Sequence, residues 1–314
     1  MFEAEVKENC EKISKNPLKK EVFYIITHKK YKREVYFKKN SPAAKKFIRV
    51  KFRSFVKSLA YLLIKSNLTS LFFKKIELPS DIGEVIFVAG QIKIFDLRKK
   101  IVISFPKKID DKKIFLDSKL VLRKIEKLDI SPKIFKIKKE VPYCVEELLR
   151  EYYSEDYSKV FEKLLDYYGK RRIEEKNISK ISKDLKNKIK KNKDLKRKEF
   201  FLGLLDKLSI KKSKILLVHS HGDFAKGQIL RRGNSFVFTD WGVKKEPIIA
   251  DLVHFIGIWA NPLENKDFLK YLRLYPKEVQ KNIRKYLILN EIFQVNDHPK
   301  NEEAILRRIK KLII

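Results

Sequence analysis

Between His219 and Leu252 the chain reads HSHGDFAKGQILRRGNSFVFTDWGVKKEPIIADL, and no other stretch restricts the fold as tightly. Two acidic residues, Asp223 and Asp240, each sit in a turn-like setting. Between them lie a short apolar piece (Ile229, Leu230), a turn, and an alternating piece running from Phe236 to Thr239. Gly233-Asn234 is the kind of pair that supplies positive φ angles to a tight hairpin. A hairpin brings together the residues just outside its two ends, so Asp223 and Gln228 are expected beside Asp240. That grouping suits phosphoryl transfer. One carboxylate orients an acceptor hydroxyl and takes its proton, while a second carboxylate and an amide oxygen hold Mg²⁺ against nucleotide phosphates. Most of the rate then comes from positioning and charge neutralisation.

The run His221-Gly222-Asp223, then Gln228, then Asp240-Trp241-Gly242 resembles the catalytic and metal loops of the aminoglycoside phosphotransferase and choline kinase superfamily. That pattern is His-x-Asp-x4-Asn, a hairpin, and a second Asp. Pro247 and Asp251-Leu252 resemble the segment that follows, and the likeness spans roughly residues 80 to 290. It implies an α+β, bilobal, protein-kinase-like fold with a small antiparallel β-sheet N-lobe and a mainly helical C-lobe. It further implies ATP and Mg²⁺ as cofactors, Asp223 as catalytic base and Asp240 as main Mg²⁺ ligand. Gln228 stands where the family has its second metal ligand, and His221 and Asp251 buttress the loop. Gln228 departs from the usual Asn, offering the same amide oxygen on a longer arm.

The rest of the chain is expected to divide into an N-terminal extension (1–80), the N-lobe (81–147) and the C-lobe (148–314). In the extension, Val22 to Thr27 and Glu34 to Phe37 read as strands. Ser41-Pro42 opens a long helix, basic on one side and apolar on the other. That helix suits either docking on the N-lobe or lying on an anionic membrane surface. N-lobe strands are expected at 84–88, 91–95, 101–105, 134–137 and 143–145, with a helix at 115–128 whose apolar face carries Leu116, Leu120, Leu122 and Ile125. Segments 148–153, 160–168 and 200–208 read as C-lobe helices. The Lys-rich stretch 170–198 also reads as helix, because Ile178, Ile181, Leu185 and Ile189 keep helical spacing.

In the family, a glycine-bearing loop covers the nucleotide, and Gly90 lies where that loop falls. A Lys on the third strand grips the phosphates and a Glu on the following helix holds it. The register here places Ser104 and Ser118 at those two positions. Lys107 or Lys108, just past the strand, and Asp117 or Glu126 are the substitutes within reach. Tyr143 to Leu148, including Glu147, looks like the connector whose backbone meets the adenine.

The formal net charge of +34 predicts attraction to polyanions. It also speaks against polycationic aminoglycosides as acceptors. The N-terminal block together with HGDF and DLVHF resembles superfamily members linked to bacterial surface-polysaccharide assembly. That implies a small-molecule or glycan acceptor, such as a sugar or glycolipid hydroxyl. Peripheral contact with an anionic membrane surface is a second expected interaction. No specific nucleic-acid partner is expected, since no reader motif accompanies the charge. The His219-x-His221-x-Asp223 spacing lacks the further His or Cys ligands of a zinc site. With only Cys10 and Cys144, a reducing cytoplasmic setting is expected. The rival reading is a pseudokinase that keeps the fold and the basic surface but transfers nothing.

Overall fold

The computed structural model of the chain describes residues 2–51, 73–171, 173–210, 213–242, 244–257 and 262–313. It forms two compact units, one of residues 1–151 and 230–238, the other of 152–229 and 239–314.

The first unit holds helix α1 (Glu3–Ile13), strands β1 (Lys20–His28) and β2 (Arg33–Lys38), helix α2 (Pro42–Lys51) and strands β3 (Lys74–Pro79), β4 (Val85–Val88), β5 (Gln91–Asp96) and β6 (Ile101–Pro106). Helix α3 (Lys112–Glu126) follows, then β7 (Ile134–Lys138), β8 (Tyr143–Glu147) and the short β9 (Arg150–Glu151). Eight strands make one antiparallel sheet in the order β3-β1-β2-β4-β5-β6-β8-β7. Strands from the first 80 residues thus extend the sheet built by residues 85–147.

Strand parity explains why β1 is apolar on both faces. Phe23 and Ile25 pack with Val6 and Cys10 of α1. Tyr24 and Ile26 point the other way, toward Ala44 and Ile48 of α2. The same alternation runs through β6, where Ile103 and Phe105 face the α1 side while Val102 faces the α2 side. Ser104 shares the side of Val102. Helix α2 starts as expected: Pro42 is its first residue and the Ser41 hydroxyl accepts from Ala44 N at 3.1 Å. The expected continuation of that helix past Lys51 lies outside the described residues.

The second unit holds α4 (Ser158–Lys170), β10 (Glu174–Asn177), α5 (Ile178–Lys191), α6 (Lys198–Ser209) and β11 (Lys214–Ser220). The hairpin β12 (Ile229–Arg232) and β13 (Ser235–Phe238) comes next, and most of it belongs to the first unit. Then follow β14 (Lys244–Pro247) and helices α7 (Ala250–Ile256), α8 (Lys266–Leu272), α9 (Lys277–Lys281), α10 (Ile283–Asp297) and α11 (Glu302–Ile313). Two small sheets, β10-β11-β14 and β13-β12-β9, complete the strands. Ile178, Ile181, Leu185 and Ile189 of the Lys-rich α5 are all buried, so the helical spacing read from the sequence marks its core face. Among the described residues, no helix is long and apolar enough to cross a membrane.

Three local expectations change. Glu174–Asn177, inside the Lys-rich stretch expected to be helical, form β10 and pair with β11, and the helix runs only from Ile178 to Lys191. Residues 148–153 are not helical: Arg150 and Glu151 are extended and pair with Arg231 and Leu230 of β12. Short apolar spacing cannot tell a helical turn from a strand, and here the backbone partner of the hairpin decides. The inward face of α3 is also rotated from the expected one. Phe115, Lys119, Leu122 and Ile125 are buried, while Leu120 is 38% exposed. A lysine with an ionic partner inside has taken the place that hydropathy assigned to a leucine.

Candidate active site

Strand β11 carries the chain into His221-Gly222-Asp223, and Asp251, in the first turn of α7, holds that turn in place. The Asp251 carboxylate accepts His221 N at 2.6 Å through Oδ2 and Gly222 N at 3.1 Å through Oδ1. The buried Tyr168 hydroxyl donates to Oδ2 as well. Gly222 has φ +88°, a left-handed conformation that favours glycine, and an added Cβ would lie 3.3 Å from the Lys244 side chain. His221 is fully buried. Its Nε2 donates to Thr239 O at 2.7 Å, and its ring packs on Trp241 and Phe224 at centroid distances of 4.7 and 5.3 Å. Burial pushes the imidazole pKa down, against the pull of the Asp251 charge, so the ring is a neutral spacer here.

The second acidic loop is laced to the first at both ends. Gly242 N donates to His221 O at 2.8 Å, and Thr239 N donates to Gln228 O at 2.9 Å. Asp240, between those two bonds, has φ +61°, an uncommon left-handed conformation for a residue with a side chain. Asp223 and Asp240 are both exposed. Gln228 Nε2 lies 3.5 Å from Asp223 Oδ2, the outer limit of a hydrogen bond. Its Oε1, the atom expected on a metal, accepts Ala225 N at 2.7 Å, which leaves one lone pair of that oxygen. The intervening hairpin turns at Gly233, φ +56°, the first of two loop residues, as a type II′ turn needs. Unlike the sequence expectation, Asn234 is not in the positive-φ region.

Among the described residues, no three His, Cys, Asp or Glu side chains cluster to hold a metal ion. Mg²⁺ does not need such a cage, since it binds one or two carboxylates plus phosphate oxygens and water. Two exposed carboxylates on adjoining loops, with an amide oxygen beside them, fit that demand.

Behind the loops lies a buried polar group that the sequence did not single out. Glu246 on β14 is opposite Val218 of β11 and buried. Its Oε2 is 2.6 Å from Ser220 Oγ, and its Oε1 accepts Gln294 Nε2 at 3.2 Å. Ser220 Oγ is also 3.1 Å from Lys244 O. A hydroxyl has one hydrogen, so if Ser220 donates to Lys244 O, a protonated Glu246 can donate to Ser220. Burial accordingly pushes the Glu246 pKa up to about 7 from 4.5. The folded chain holds this proton more tightly than the unfolded one. The stability it contributes is complete below about pH 4.5 and is lost as pH rises through about 7. Glu246→Gln mimics the protonated acid. It is expected to be the more stable form at pH 8, by up to about 3 kcal/mol, with the gap narrowing as pH is lowered toward 5. Urea unfolding across that range checks it. Gln294 also donates to His254 Nε2 at 3.1 Å, so His254 is a packed, half-buried imidazole, its pKa lowered by desolvation.

In the first unit, Gly90 lies in the β4–β5 turn with open space around it. Gln91 pairs with Pro106, so Gly90 and Lys107 are at the same end of the sheet. Lys107 Nζ stands 3.8 Å from the centre of the Phe2 ring, on the α1 side. Burial and the neighbouring Lys108 charge both lower its pKa. Glu147, at the opposite end of β6, pairs with Ile101. Its carboxylate accepts Arg232 Nη2 at 2.6 Å and Nε at 3.2 Å, and Arg232 also reaches Asp129 Oδ1 at 2.6 Å and Ser131 O at 2.9 Å. The backbone N–H groups of Glu147 and Leu148 are already donated, to Lys133 O and Lys100 O. Of the acids considered on α3, Asp117 is exposed and Glu126 half-buried, while Ser118 bonds back to Phe115 O. The ionic partners that sequence reasoning missed are Lys119 on α3 and Glu146 on β8, which form a buried pair. The available signal was a lone Lys on the apolar spacing of Phe115, Leu122 and Ile125.

Neither a family model nor a curated protein sequence matches this chain. Solved structures do. The chain is similar to choline kinase LicA from Streptococcus pneumoniae, at 14% identity and a TM-score of 0.48, covering 71% of this chain and 88% of that one. It is similar to a putative fructosamine-3-kinase from Haemophilus somnus, at 11% identity and a TM-score of 0.48, covering 71% and 85%. It is also similar to the ADP-bound aminoglycoside phosphotransferase APH(2'')-Ib, at 14% identity and a TM-score of 0.42, covering 72% and 89%. At these identities the likeness concerns the fold alone.

Proposed function

We propose that this chain is an ATP- and Mg²⁺-dependent phosphotransferase that moves the γ-phosphoryl group to a hydroxyl of a small molecule. The observation that carries the reading is the double lacing of the Asp223 loop to the Asp240 loop, with Asp251 fastening the backbone just before Asp223. Asp223 accepts the proton of the acceptor hydroxyl. Asp240 is the main metal ligand, and Gln228 lends its remaining oxygen lone pair. Mg²⁺, when bound, supplies charge neutralisation at the phosphates. Gly90 and the connector at Glu147, at opposite ends of β6, are proposed to meet the phosphate and adenine ends of the nucleotide. The acceptor we favour is a sugar or glycolipid hydroxyl of surface-polysaccharide assembly, since a +34 surface attracts anionic glycans and lipids. A cytoplasmic setting, with peripheral contact at the inner membrane face, belongs to the same reading.

The test incubates the protein with Mg²⁺ and labelled ATP, with and without a glycan- and lipid-containing lysate fraction. Label on a non-protein acceptor establishes the transferase and gives the acceptor by mass. Asp240→Ala is expected to lose the Mg²⁺-dependent part of nucleotide stabilisation, which for the parent at a hundredfold excess over Kd is about 2.7 kcal/mol. Parent-like stabilisation in that variant would sink the metal assignment. One observation favours the second reading, a pseudokinase: Ser104 occupies the strand position where a phosphate-gripping lysine was expected, and it is buried. ATP binding without transfer to any acceptor would select it.

A further inference from the structure

Helix α3 packs against β6 and β7, and its buried face is apolar except at Lys119. Lys119 is 2% exposed and its ammonium bonds Glu146 of β8, itself 6% exposed. The Phe115 ring lies 5.6 Å from the same nitrogen. Cys144, two residues before Glu146, shares its side of β8 and is directly opposite Ser104 of β6. Burial pushes the Cys144 thiol up, and the Glu146 charge adds to it while Lys119 opposes it, so these groups feel one another. Ser104 is 1% exposed, and its hydroxyl has no hydrogen-bond partner. Helix α3 and the inward side of β6 and β8 thus enclose a buried cation, its acid and an unsatisfied hydroxyl.

Such a cluster is a poor way to stabilise a core. Two well-packed apolar residues serve as well as a buried ion pair, or better, and an orphaned hydroxyl is a further cost. A phosphate oxygen would relieve both debts, taking charge-assisted hydrogen bonds from the ammonium and the hydroxyl. Lys107, just past the end of β6, is stacked on Phe2 on the other face of the sheet and does not serve this side.

We propose that Lys119 is the phosphate-binding cation of this unit, held by Glu146, with the Ser104 hydroxyl as a second donor to the same nucleoside polyphosphate. The helix supplies the cation and the strand the acid, the reverse of the arrangement expected from the sequence. This rests on the nucleotide-binding part of the proposed function. Because Lys119 is sheathed, α3 must shift for a phosphate to reach it, and hydrogen exchange within 112–126 should change when ATP is added.

Three variants of the full chain test it: Lys119→Met, the double Lys119→Met/Glu146→Leu, and Ser104→Ala. Each is measured for urea stability and for affinity to Mg²⁺·ATP. The single Lys119 variant strands a buried carboxylate and is expected to lose stability and binding together. The double variant is expected to recover stability while its ATP Kd stays at least tenfold weaker. Ser104→Ala is expected to be as stable as the parent or more so, yet to bind ATP severalfold more weakly. Parent-like ATP affinity in a folded double variant overturns the proposal, and so does a parent that binds no ATP. Should the double variant not fold, Ser104→Ala decides, and unchanged affinity there overturns the shared site. Lys119-dependent binding without phosphate transfer would leave this inference standing and remove the transferase reading instead.

Discussion

Asp223→Ala is expected to lower kcat for phosphate transfer by about 10²–10⁴-fold, the usual contribution of a positioned general base, while the Kd for Mg²⁺·ATP stays within about twofold of the parent. The side chain is exposed and its nearest recorded partner is Gln228 Nε2 at 3.5 Å, so little folding stability depends on it. The backbone that presents it is secured one and two residues earlier, through Gly222 N and His221 N, and is untouched by the change. Single-turnover kinetics with separate ATP titration checks both halves. A variant that transfers as fast as the parent would show that Asp223 is not the base.

Asp251→Ala should behave in the opposite way, costing stability first and activity as a result. Two buried backbone donors and the Tyr168 hydroxyl would lose their acceptor together. Each stranded buried group costs about 1–3 kcal/mol, and removal of the buried charge returns part of that, so a net loss of about 3 kcal/mol is expected. The released His221-Gly222 turn would carry Asp223 out of place, and misplacement of about 1 Å is enough for a hundredfold loss of rate. Asp251→Asn keeps one carbonyl acceptor and should fall between the two. Denaturant unfolding beside activity at a temperature where the variant is folded separates the two effects. Full stability in Asp251→Ala would mean that water replaces the carboxylate and that the loop is held by other contacts.

What could be read from the sequence follows the range of the interactions. His221, Asp223, Gln228 and Asp240 lie within one hairpin's reach, so local turn chemistry sufficed to bring them together, and Asp251 sits only a strand further on. Strands β1, β2 and β4 to β8 and helix α5 were legible because period-2 and helical spacing are local signals as well. Lys119 was not legible, since a lysine at an apolar position reads as solvated until its acid is seen 27 residues away on β8. Glu246 was hidden for the same reason. Its place depends on Ser220 and Gln294, 26 and 48 residues distant. The segment 148–153 misled because its partner, β12, lies about 80 residues downstream and supplies a strand edge that spacing cannot reveal.

The clamp on Arg232 sets a timetable for synthesis. Glu147 and Asp129 belong to the part of the chain made first, yet their cationic partner lies 85 and 103 residues further along. At about 5–20 residues per second, the ribosome delivers Arg232 roughly 4 to 20 seconds after those acids. Until then β9 has no partner in its small sheet and two carboxylates wait without their guanidinium. The first unit therefore cannot close its structure on its own segment of nascent chain. It is completed only as the hairpin emerges, flanked by the two loops that carry Asp223 and Asp240.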